Sequence, residues 1–162
     1  MPPITALLHT LNDGLRLGRT LEMLLPCAEL LIVDHSSTDG TRCIAREYGA
    51  RVVAADSPED TSDYAKMARH DWILCMQPGE SITEALQATL FEWSVLPSRE
   101  VEGGVFSVSV RKQDGEDWLH LPAPEIRLIP RSWSHWRGRL PAHQDSASAI
   151  PLDGEMLRFA FP

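Results

Sequence analysis

The sequence predicts an α/β domain with a mostly parallel sheet and helices on both of its faces. Short apolar runs rich in β-branched residues alternate with segments of helical period through the first half of the chain. The connections between them are short, as parallel strands with helical crossovers require. After Pro97 the pattern changes to strict alternation with a hairpin signal, which predicts a smaller antiparallel part.

Taken in order, Ile4 to Leu8 reads as the first strand, and Asn12 or Asp13 can cap the helix that follows. Leu17, Leu21, Leu24 and Leu25 fall on one face of that helix, and Pro26 ends it. Leu30 to Val33 is a second strand, apolar enough to be buried on both faces, with Asp34 at its carboxyl end. Ligands of open α/β sheets bind at that edge. Ser37, Thr38 or Asp39 can accept from free N–H groups of the next helix, which carries Thr41, Ile44, Ala45 and Tyr48 on one side and ends at Gly49.

Arg51 to Ala55 is the third strand, Asp56 to Thr61 a loop, Asp63 to Arg69 two turns of helix, and Trp72 to Met76 a fourth, buried strand. Gln77-Pro78-Gly79-Glu80 then leaves the sheet. Ser81 and Glu84 match a capping box for a helix whose stripe is Ile82, Ala85, Leu86, Thr89, Leu90 and Trp93. Val105 to Val110, the turn at Asp114-Gly115 and Trp118 to Leu121 predict a hairpin, and Glu125 to Ile129 one more strand. Beyond Trp133 periodicity is weak, so loop and short strand are expected. Leu157-Arg158-Phe159-Ala160-Phe161 is a candidate edge strand or contact for a second copy.

A chain of 162 residues with 43% hydrophobic content makes one domain with a real core. The net charge of −8 disfavours nucleic acid or an anionic membrane as the main partner. Cys27, Cys43 and Cys75 form no CxxC pair and read as reduced thiols of a cytoplasmic protein. No secretory leader opens the sequence and no apolar run is long enough to be a transmembrane segment. A dinucleotide oxidoreductase is disfavoured because no GxGxxG follows the first strand.

Three segments resemble the family-2 glycosyltransferases. Leu8-His9-Thr10-Leu11-Asn12-Asp13 is similar to the Ile-Pro-Thr-Tyr-Asn-Glu segment after that family's first strand. Val33-Asp34-His35-Ser36-Ser37-Thr38-Asp39-Gly40-Thr41 closely resembles its Val-Asp-x-x-Ser-Thr-Asp-Gly-Thr segment, and Ile44 to Val52 looks like its second helix and third strand. Asp71-Trp72-Ile73-Leu74 is similar to the strand leading to the DxD motif, and Glu125 to Arg131 more weakly to an Arg-Leu-Phe-Arg-Arg strand of its lipopolysaccharide-core branch. The resemblance covers residues 4 to 86.

It implies a GT-A, Rossmann-like fold and transfer of a sugar from a nucleotide-diphospho-sugar donor to a carbohydrate or lipid-linked acceptor. Residues 1–96 would form the nucleotide-binding half and 97–162 the acceptor side. By the same resemblance Thr10, Leu11, Asp13, Asp34 and Ser36 belong to the nucleoside site, with Asp34 accepting the uracil N–H. A carboxylate suits that role because it only accepts.

The chain also departs from the family pattern. Gln77-Pro78-Gly79 stands at the DxD position, so a divalent ion (Mn or Mg) is left with Glu80 alone as metal ligand. Thr61-Ser62 replaces an Arg-Asn pair, and Gly138-Arg139-Leu140 continues into Pro141-Ala142-His143-Gln144 without the family's His-Glu. Glu80 and His143 are the candidates for catalytic acid–base work. His9 and His35 flank the expected pocket, and Trp118, Trp133 and Trp136 are candidates for a sugar-stacking platform. The chain is short for an active member, and a homodimer could complete its walls. The alternative function is a non-catalytic relative that binds nucleotide or sugar.

Overall fold

The structure, a computed structural model, describes residues 3–55, 61–93, 104–142 and 149–160. Its elements are β1 (Ile4–Thr10), α1 (Gly14–Glu22), β2 (Glu29–Asp34), α2 (Thr41–Glu47), β3 (Arg51–Ala54), α3 (Thr61–Lys66), β4 (Trp72–Cys75), β5 (Glu80–Ile82) and α4 (Glu84–Trp93). Then follow β6 (Phe106–Asp114), β7 (Asp117–His120), β8 (Glu125–Pro130), β9 (Trp136–Arg137), β10 (Leu140–Pro141) and β11 (Ile150–Arg158). Most of the predicted loop at 56–61 lies outside the described residues.

One sheet runs β3-β2-β1-β4-β8-β6-β11-β5, with β7 paired to β6, and β9 and β10 form a separate antiparallel pair. The strands β3, β2, β1 and β4 are mutually parallel, as the βαβ alternation requires. Side chains alternate between two cores. Ile4, Ala6, Leu8, Ile32, Trp72 and Leu74 face α1, α2 and α4, whereas Leu7, Leu31, Val33, Ile73 and Cys75 face α3 and the β9-β10 pair. The fold class is therefore the expected one: a mixed α/β sheet with helices on both faces.

Two local expectations are corrected. Ser81 does not cap a helix: residues 80–82 pair with β11, and Thr83 starts α4 through its hydroxyl to the Leu86 N–H (3.3 Å). Asp13 stands at the start of α1 without a side-chain cap. Asp39, from the next loop, instead accepts the N–H groups of Gly14 (3.1 Å) and Thr41 (2.9 Å), joining the first turns of both helices.

The largest difference is β11. Pro151 and Gly154 argue against a strand there, yet it lies inside the sheet between β6 and β5. Its register against β6 shifts between Pro151 and Glu155, which absorbs both residues. Gly154 has φ +102°, and a Cβ on it would lie 2.2 Å from the Leu86 nitrogen, so close packing on α4 requires glycine. Leu157 and Arg158 are thus interior residues of the sheet and not a free edge, and Phe161 lies outside the described residues.

Among the described residues no helix is long and apolar enough to cross a membrane.

Candidate functional site

The carboxyl ends of β1 and β2 meet in a tight group of hydrogen bonds. Asp34, 3% exposed, accepts from the Thr10 hydroxyl (2.7 Å) and the Ser37 hydroxyl (2.6 Å) at Oδ1, and from the Ser37 N–H (3.0 Å) at Oδ2. Arg42 stands 3.7 Å from Oδ2, beyond a direct hydrogen bond. Burial alone would raise the Asp34 pKa, but the Ser37 and Thr10 hydrogen bonds and the Arg42 charge outweigh it, so the group stays ionised. Oδ2 therefore keeps a lone pair for one further donor.

The loop beyond β1 is tied to the loop beyond β2. Asn12, in a left-handed conformation (φ 52°), receives the Thr38 N–H at 2.8 Å and gives its own N–H to the Ser37 hydroxyl at 2.9 Å. Asp13 accepts the Leu11 N–H at Oδ2 (2.8 Å) and the Arg16 guanidinium at Oδ1 (2.7 Å). Ser36 is exposed with φ 63°, and Leu11 is half-exposed.

Beside this group lies a cleft of about 390 Å³, lined by His9, Leu11, Asp13 and Arg16 from the β1 side. Met76, Gln77, Pro78 and Glu80 line it from the β4–β5 loop, and Lys112, Arg139, Arg158, Phe159 and Ala160 line the far wall. A smaller cavity of about 250 Å³ at Leu11, Asn12, Leu15 and Asp39 shares Asp13, Arg16 and Phe159 with it. The structure thus brings Leu11, Asp13 and Glu80 to one cleft. Thr10 and Asp34, hydrogen-bonded to each other at the ends of β1 and β2, are not among the residues that line it, and neither is Ser36.

Glu80 is 1% exposed and its carboxylate is fully engaged. Oε1 accepts from Arg127 Nη1 (2.7 Å) and the Gln77 N–H (2.8 Å), while Oε2 accepts from Arg127 Nη2 (2.7 Å) and from Arg158 Nε (3.2 Å) and Nη2 (3.1 Å). Arg127, wholly buried, uses its remaining donors on the Cys75 carbonyl (3.0 Å) and Glu125 Oε2 (3.0 and 2.7 Å). Burial disfavours its charge, but Glu80 and Glu125 outweigh that and raise its pKa further. Burial likewise pushes Glu125 up, and the Arg127 and Arg158 charges overcome it to hold that carboxyl below the usual range.

A bulge puts Arg127 there. Pairing of β6 with β8 passes from Phe106–Leu128 to Ser107–Ile126, leaving Arg127 as the extra residue.

Two catalytic expectations meet this geometry differently. Glu80, expected as metal ligand or acid–base group, lies at the cleft with both oxygens held by guanidinium groups. His143 lies outside the described residues. His9 and His35 do meet, Nδ1 to Nε2 at 2.9 Å. His9 is buried, with its pKa pushed down to about 3 by burial, Arg139 and His35, and it stays neutral. The three tryptophans form no common platform: Trp118 stands edge-on to Phe159, whereas Trp133 and Trp136 pack against the core on the α3 face.

Sequence reasoning missed the cations. Arg16, Lys112, Arg139 and Arg158 come from four separate stretches, and no spacing joins them. A signal was present only for their support: an arginine inside the apolar strand Glu125 to Ile129 needs a buried acid, and Glu80 is that acid.

No protein-family model matches the chain. Over 46 residues, 28% of this chain and 17% of the relative, it is 44% identical to the lipopolysaccharide core biosynthesis glycosyltransferase LpsC of Rhizobium meliloti (strain 1021). The fold is similar to that of S. aureus TarS 1-349 in complex with UDP-GlcNAc. That match has TM-score 0.59 and 18% identity over 75% of this chain and 37% of that one. It is also similar to S. aureus TarS, with TM-score 0.60 and 16% identity over 81% and 29% of the two chains. This chain spans well under half the length of each. The likeness to TarS is one of fold over three-quarters of the chain, and the likeness to the glycosyltransferase LpsC is one of sequence over the 46-residue stretch.

Proposed function

We propose that this chain acts as a family-2-type glycosyltransferase whose cleft binds a uridine-diphospho-sugar and passes the sugar to an acceptor hydroxyl. The observation that carries this reading is the position of the cleft. It lies over the carboxyl ends of β1 and β4, beside the Asp34 group, and gathers cations in a chain of net charge −8. Asp34 Oδ2 would accept the uracil N–H. Leu11 and Asp13 would line the nucleoside, with Thr10 orienting Asp34 and Ser36 at the exposed rim. In the transfer an acceptor oxygen bonds to the anomeric carbon, and the bond to the diphosphate oxygen breaks with its electron pair. The hydroxyl proton passes to a base, for which His143 remains our candidate.

A second reading, binding without transfer, is favoured by one specific observation: Gln77-Pro78-Gly79 supplies no carboxylate and Glu80 is held by two arginines. The two readings separate in one experiment, incubation with UDP-GlcNAc and mixed saccharide acceptors while released UDP is measured. Acceptor-dependent UDP release supports transfer. Binding of UDP-GlcNAc by calorimetry with no release under any acceptor supports the second reading, and absence of binding at millimolar ligand overturns both.

A further inference from the structure

The residues at the DxD position do not fit a divalent ion. Gln77 offers one neutral carbonyl, Pro78 and Gly79 offer no side-chain ligand, and both oxygens of Glu80 already accept from guanidinium groups. Among the described residues no group of three or more His, Cys, Asp or Glu side chains could hold a metal ion. More telling is what stands in the space. A Cβ built on Gly79 would point at Arg16, 3.3 Å from Cδ and 3.4 Å from Nη1. Where a carboxylate-bearing residue would reach toward a metal, this chain places a guanidinium.

That guanidinium is one of four cations on the cleft. Arg16 is oriented by Asp13. Arg158 is oriented by Glu80, which Arg127 locks from behind with a two-pronged pair. Lys112 lies beside Arg158 in the parallel register of β6 and β11. Arg139 follows Gly138, whose carbonyl accepts the Thr61 hydroxyl at 2.8 Å, so α3 fixes the turn that carries it. The two acids that line the cleft, Asp13 and Glu80, are both already paired to these arginines or to Arg127. Lys112 and Arg139 are exposed, and no ion pair holds either among the described residues.

We propose that Arg16, Lys112, Arg139 and Arg158 form a diphosphate site that neutralises the anion by side-chain charge alone, in place of a divalent ion. The inference rests on the donor-site reading for the identity of the ligand, but not for the existence of the anion site. Guanidinium groups match phosphate oxygens in pairs, and an ammonium adds a mobile point charge. Such a site binds without metal and weakens as salt rises.

The test is calorimetric titration of inorganic pyrophosphate and, separately, UDP, in EDTA and then with manganese. The proteins are the wild type and a Lys112→Gln/Arg139→Gln double variant. Both substitutions are at exposed side chains outside any ion pair among the described residues, and a thermal melt confirms that the variant is folded. We expect both ligands to bind the wild type in EDTA, to weaken at least about tenfold in the double variant, and to change less than about twofold on adding manganese. Binding that needs manganese, or that the double variant leaves unchanged, overturns the proposal. So does a wild type that binds neither ligand in either condition. If pyrophosphate behaves as expected and UDP binds no tighter, the anion site stands and the nucleoside reading fails. If UDP binds in EDTA and ignores the double variant, the nucleoside reading stands and the cation site fails.

Discussion

Asp34 and Glu80 are both almost completely buried, 3% and 1% exposed, and of the two Glu80 lines the cleft, yet the chain treats them in opposite ways. Asp34 is held by neutral donors, two hydroxyls and one N–H, with the nearest guanidinium at 3.7 Å. Glu80 is held by two guanidinium groups that occupy both oxygens. Neutral donors fix a carboxylate and leave it able to take another hydrogen bond. Charged donors consume it, and what the protein gains is the placement of the arginines. Burial alone thus does not mark a carboxylate as a working group; the charge of its donors decides whether it can still act.

That contrast predicts unequal responses to mutation. Glu80→Ala leaves the fully buried Arg127 with only Glu125 and the Cys75 carbonyl, and should cost about 3–5 kcal/mol in urea unfolding. A Glu80→Leu/Arg127→Met double variant should recover much of that loss, because an apolar pair needs no compensation. A single variant near wild-type stability would show that Glu80 is not the partner that Arg127 depends on. Asp34→Ala removes the acceptor of three neutral donors, for an expected loss of about 1–3 kcal/mol. Its cost should fall clearly below that of Glu80→Ala.

A pH effect grows with each unit of acidification. His9 is buried neutral with its pKa near 3, against 6.5 for the free side chain. Between those values the unfolded chain binds a proton that the folded chain refuses. Stability is therefore fully present above pH 6.5 and falls as pH drops toward 3, by up to about 1.4 kcal/mol per pH unit from this group. Urea unfolding of His9→Gln across that range should show a shallower acid limb, and an unchanged slope would remove His9 as its source. Smallest of all is Arg42→Ala. Its side chain is half-exposed and stands 3.7 Å from Asp34, so its stability effect should stay below about 1 kcal/mol.

The β1-to-β3 half was legible because each element is written locally: apolar runs set the strands, and Asp39 and Gly49 punctuate α2. The role of Asp39 at α1 was not legible, since that contact crosses 25 residues. The second half hid its main strand. Pro151 and Gly154 contradict local strand propensity, and only packing on Leu86 and the shifted register explain their presence in β11. Losing β11 also hid Arg158 and its place beside Lys112. The capping box at Ser81 fails because residues 80–82 pair with Met156, Leu157 and Arg158, far along the chain, and no local pattern at Ser81 shows that pairing. Asp34 could be read from the sequence as a strand-end acceptor. The state of Glu80 could not, because its partners lie 47 and 78 residues away.

The most direct test of the account is calorimetric titration of UDP and CDP against the wild type and Asp34→Asn. Uracil presents an N–H where cytosine presents an acceptor, so a carboxylate with one free lone pair should tell them apart. The account predicts that the wild type prefers UDP by about tenfold or more and that Asp34→Asn loses the preference. Equal affinity for UDP and CDP in the wild type, or a preference that survives Asp34→Asn, would contradict it.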